Sequence, residues 1–128
     1  TFDEPFGPRI ARRIGALTPG HYTRMGAAVR HATAQLTTRP HRHRLLLVLT
    51  DGKPNDADHY EGRYGIEDTR RAVQEARRHG TTVFGTTTHP KAQSSFPPLF
   101  RPGAHDLVSN PSRLPAVLPA LYRQLSAC

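Results

Sequence analysis

The chain has 128 residues, of which 36% are hydrophobic, enough for one domain with a single modest core and too few for a second. Its longest apolar run, Leu45 to Leu49, falls far short of the roughly 20 residues that a helix needs to cross a bilayer, so a soluble, cytoplasmic piece with no membrane insertion is expected. A formal charge of +8 raises nucleic acid, a membrane surface or an acidic protein as partners, but no aromatic residues alternate with the cations as a base-stacking platform requires, so the arginines read as solvated surface and no nucleic acid is expected.

The opening Thr1-Phe2-Asp3-Glu4-Pro5 carries no charged-then-apolar leader and reads as part of a longer polypeptide. Asp3 is placed to cap a first helix, with Pro5 in its opening turn, and Phe6, Ile10 and Ile14 repeat at helical spacing up to Leu17. A second helix is predicted from near Thr23, where Met25, Val29, Ala32 and Leu36 form an apolar stripe that ends before Arg39-Pro40.

Arg44 to Thr50 shows no polar alternation and predicts a strand buried on both faces, as in a parallel sheet covered by helices. After a polar loop from Lys53 to Gly65, Glu67 and Asp68 favour a helix start, and Ala72, Val73, Ala76 and Gly80 complete a third helix. Thr81 to Thr87 follows as a β-branched strand, and the proline-rich stretch from His89 to Gly103 predicts a loop or broken helix.

Asp106 to Val108 is expected as a short edge strand. Asn110 is set to cap a last helix that buries Leu114, Val117, Leu118, Leu121 and Leu125 despite Pro115 and Pro119. The order is that of an α/β fold with an open, mainly parallel sheet flanked by helices. Three strands are visible where such sheets usually carry more, so the fold is expected to be N-terminally truncated, with its early strands missing.

Chemistry is expected at the carboxyl end of the most hydrophobic strand, because ligands of open parallel sheets collect there. Asp51 offers a hard anionic oxygen suited to Mg²⁺, Ca²⁺ or Mn²⁺, and Gly52 lets the chain turn without crowding an ion. Taken alone, Asp51-Gly52 reads more readily as a simple turn. Asn55, Asp56, Asp58, His59 and Glu61 form a dense polar loop beside it, read mainly as solvated. His41 and His43 flank Arg42 without a third ligand and read as surface histidines. The lone Cys128 cannot form an internal disulfide, which agrees with a reducing compartment.

The stretch from Gly20 to Val29, with Thr23 inside TRMGAAV, and the stretch LLLVLTDGKPND from Leu45 to Asp56 resemble two of the three signature segments of von Willebrand factor A domains. With the following DHYEGRYGIEDTRRAVQEARRHG and the terminal RLPAVLPALYRQL, the resemblance extends over essentially all of the chain and narrows to the NorD/CbbO family. It implies that residues 1–128 are the C-terminal portion of a single von Willebrand factor A domain with a Rossmann-like sheet.

In that family a metal-ion-dependent adhesion site joins an Asp-x-Ser-x-Ser motif, a loop threonine and the aspartate of a strand-end Thr-Asp-Gly. Thr23 matches the threonine and Asp51 the aspartate, while the Asp-x-Ser-x-Ser motif has no match in the sequence. The implied cofactor is Mg²⁺ or another divalent cation, at a site that these residues leave incomplete and that binds weakly. Where relatives often end the late strand in an apolar and acidic pattern, this chain has Thr86-Thr87-Thr88-His89.

The resemblance further implies a non-enzymatic adaptor that works with a MoxR-type AAA+ ATPase. Its target is nitric oxide reductase in one branch and Rubisco in the other, engaged through an acidic side chain of the target complex. A metal-dependent hydrolase using Asp51, with Lys53 steadying a phosphate, is the competing reading. It lacks a recognisable general base and a glycine-rich phosphate loop.

Overall fold

A computed structural model describes residues 4–20, 23–51, 62–88, 100, 105–108 and 110–126. Helix α1 spans Pro8–Gly15, α2 Met25–Thr37, strand β1 Arg44–Thr50, α3 Gly62–Arg78, β2 Thr81–Thr87 and β3 His105–Leu107. A 3-10 turn at Pro111–Arg113 leads into the last helix, α4, at Leu114–Ser126.

The three strands form one parallel sheet in the order β1-β2-β3, with Arg44 opposite Thr81, Thr50 opposite Thr87, and Thr87 opposite Leu107. This is the α/β architecture expected from the sequence. Alternating side chains divide β1 between two faces. Leu46 and Val48 join Ile66 against a core of Met25, Val29, Ala72, Val73, Ala76, Val83 and Phe100. That core lies between the sheet and the paired helices α2 and α3.

Strand β1 differs from expectation in its burial. It was expected to be covered on both faces, yet its residues are half-buried and Leu49 is 51% exposed, whereas β2 is buried at every position except Thr82. The reason lies in position. Among the described strands β1 stands at one end of the order and β2 in the middle, so only β2 has a neighbour on each side.

Three helix starts also differ from expectation. Helix α1 begins at Pro8 in its first turn, with Gly7 as an extended N-cap that gives no side-chain bond. Pro8 therefore takes the position expected of Pro5, where a missing N–H costs nothing; Asp3 lies outside the described residues. Helix α2 begins at Met25, which leaves Thr23 in the entry loop.

Helix α3 starts at Gly62, ahead of Glu67 and Asp68. Those two acids serve as ion-pair partners in place of an N-terminal role: Glu67 accepts from Arg70 Nε at 2.9 Å, and Asp68 lies 2.8 Å from Arg30 Nη2 on α2. Arg30 Nε also donates to Glu75 at 2.8 Å, so one guanidinium ties α2 to two turns of α3. Those bonds, first to Asp68 and then to Glu75, raise the Arg30 pKa above its ordinary value.

The edge strand begins at His105, a residue earlier than expected, and Val108 N still donates to Thr87 O at 2.9 Å. Asn110 caps the last helical segment as predicted: its Oδ1 accepts from Ser112 N at 3.0 Å and from Ser112 Oγ at 2.8 Å. The proline-rich segment and its expected loop lie outside the described residues, except for Phe100. No helix among the described residues is long and apolar enough to cross a membrane.

Candidate metal-binding rim

Parallel strands deliver all their carboxyl ends to one side of the sheet, and the chain uses that side to gather polar groups. The ladder continues beyond β1, with Thr88 N donating to Thr50 O at 3.3 Å. Asp51 follows directly on β1 and is exposed, with no ion pair or side-chain hydrogen bond among the described residues. Its carboxylate is therefore available to a ligand.

Thr23 reaches the same place from the other direction. Met25, 3% exposed, anchors the first turn of α2 in the core, so the loop residue two positions earlier is held at the rim. Thr23 and Asp51 line one pocket of about 460 Å³, with Thr50 and Thr88 as further hydroxyl-bearing neighbours and Met25, Val48, Leu49 and Leu114 as apolar walls. Residues far apart in sequence thus share a cavity with hard oxygens on an apolar background.

Donor chemistry suits an oxygen-seeking divalent ion, which takes about six such ligands. Among the described residues there is no group of three or more His, Cys, Asp or Glu that could hold a metal. Thr23 and Asp51 therefore fit such an ion only as members of a larger oxygen donor set. The polar loop residues Asn55, Asp56, Asp58, His59 and Glu61, together with Gly52 and Lys53, lie outside the described residues. His41 and His43 are exposed and precede β1, at the opposite end of the sheet.

Thr88 and Leu114 were not assigned to the rim by sequence reasoning. Thr88 had a signal, since it ends the threonine run in register with the end of β1. Leu114 had none beyond its place on an apolar helix face, because its approach to the rim depends on how α4 packs.

Comparison with known proteins adds a second line of argument. Residues 9–95 match the von Willebrand factor type A domain. The chain is 58% identical over 125 residues to the protein NorD of Brucella suis, an alignment that covers 98% of the chain and 20% of that protein. It is 50% identical over 113 residues to the protein NorD of Stutzerimonas stutzeri, covering 88% of the chain and 18% of that relative. An uncharacterized protein of Pseudomonas aeruginosa is 52% identical over 124 residues, 97% of the chain and 20% of its own length. The chain thus spans about a fifth of the curated relatives it matches. No solved structure matches it.

Proposed function

The chain belongs to the von Willebrand factor type A family, and from that premise we propose that it is a metal-ion-dependent protein-binding adaptor module of the NorD type. The observation that carries this reading is the convergence of Thr23 and Asp51 on one pocket at the carboxyl ends of the strands.

Thr23 would supply a neutral hydroxyl and Asp51 a carboxylate to Mg²⁺ or a similar cation. The remaining donors would have to come from water and from residues outside this sequence, where the family pattern implies an Asp-x-Ser-x-Ser segment. When bound, the ion offers a coordination position to an Asp or Glu of the partner, because a site with few carboxylates leaves the cation electrophilic. Met25, Val48, Leu49 and Leu114 give the pocket an apolar wall beside the two oxygens.

The role is non-enzymatic and cytoplasmic. The module works with a MoxR-type AAA+ ATPase to activate or mature nitric oxide reductase, the branch favoured by the names of its relatives over Rubisco service. In the full polypeptide, Asp51→Ala is expected to abolish activation of the target complex while leaving the far-ultraviolet dichroism and melting temperature unchanged. Full activity in that variant would reject the metal role.

A further inference from the structure

The amino ends of the strands form a second pole, opposite the rim. Register sets Arg44 beside Thr81, so the residues just before β1 and those just before β2 meet at this end, one strand spacing apart. Arg39, Arg42 and Arg44 enter from one side, and Arg78 from the end of α3 on the other. No acidic residue occurs between Thr38 and Arg44 or between Ala76 and Thr81.

Arg44 joins the two turns. Its Nη2 donates to Arg39 O at 3.0 Å, and its Nη1 lies 3.9 Å from where a Cβ on Gly80 would stand. Gly80, at φ +74, holds that turn in the left-handed conformation that glycine favours. Arg44 Nε is buried without a hydrogen-bond partner. Arg42 and Arg78 are exposed, and neither has an ion-pair partner among the described residues.

The acids nearest along the helices are already engaged, Asp68 and Glu75 by Arg30 and Glu67 by Arg70 and Arg71. The helix carboxyl termini offset little of this charge. Helices α2 and α3 both end at this pole, and each terminus carries about half a negative charge. Against them stand the three full cations of Arg42, Arg44 and Arg78, whose planar forks suit carboxylates.

We propose that this pole is a second docking surface, which takes a run of Asp and Glu side chains on a partner protein. It stands apart from the rim, so one module has two faces for two proteins. An acidic protein segment fits better than nucleic acid, because neither turn carries a Phe, Tyr or Trp to form a base-stacking platform.

The test is fluorescence anisotropy with a labelled oligoglutamate peptide and the full polypeptide. Arg42→Glu with Arg78→Glu is expected to weaken binding about tenfold or more, Arg42→Gln with Arg78→Gln to weaken it less, and rising salt to weaken the wild type. With EDTA present, so that no cation at the rim can hold the peptide, Arg12→Glu with Arg13→Glu on α1 is expected to leave binding unchanged. Dichroism of each variant checks the fold, and the glutamine pair serves if the charge reversal unfolds the protein. Absence of wild-type binding, equal loss in the α1 variant, or tighter binding of a single-stranded oligonucleotide at the same ionic strength would overturn the proposal.

Discussion

Gly85 sits in the middle of β2, and a methyl group there would stand 2.7 Å from Phe100 Cδ2, well inside van der Waals contact. Phe100 is 1% exposed and cannot swing away, so the added carbon must displace a packed ring or the strand itself. Gly85→Ala is expected to destabilise the chain by about 1–3 kcal/mol, the usual cost of overpacking, as a drop in the midpoint of urea unfolding. This close approach was not legible in the sequence. A glycine inside a threonine-rich strand signals that something comes near, but the partner ring lies within a proline-rich stretch that has no periodicity. Arg30 was equally silent, because its bonds to Asp68 and Glu75 join residues whose pairing depends on how α2 crosses α3.

At the scale of elements, α3 shows how local charge replaced the expected helix start. Glu67 sits in its second turn and binds Arg70 and Arg71 along one face. The hydrogen bond from Arg70 holds the Glu67 carboxyl below the usual carboxylate range. Because the folded-state value is depressed, the contribution is present above the unfolded value and is lost as pH falls through the folded one. The melting temperature of wild type is therefore expected to exceed that of Glu67→Gln slightly near neutral pH, with the gap closing in acid. A gap that persists below the carboxylate range would contradict the ion-pair account.

The elements themselves were largely readable. The apolar stripe of α2, the unbroken run of β1 and the threonine run of β2 each specify their structure locally. What the pattern could not set was how far β1 is covered, since burial of a strand depends on its neighbours and those neighbours are not encoded within it.

For the whole molecule, parallel strands create two chemically different poles from one sheet. The carboxyl ends gather Thr23, Thr50, Asp51 and Thr88 around a pocket, and the amino ends gather arginines. The rim pair was legible because two short motifs resemble segments that other von Willebrand factor A domains bring together. The basic pole was not, since Arg42 and Arg78 come to the same end of the sheet only through the register of β1 with β2. Such polarity suits the two docking faces proposed above.

The central claim is that Thr23 and Asp51 act on one cation, and a thermodynamic cycle tests it most directly. Mn²⁺ or Mg²⁺ affinity would be measured by titration calorimetry on the full polypeptide for wild type, Thr23→Ala, Asp51→Ala and the double variant. Each single change is expected to weaken binding about tenfold or more, and the double variant to lose much less than the two losses multiplied, as coupled ligands of one ion do. Unchanged affinity in either single variant, or losses that multiply in full, would contradict a shared ion.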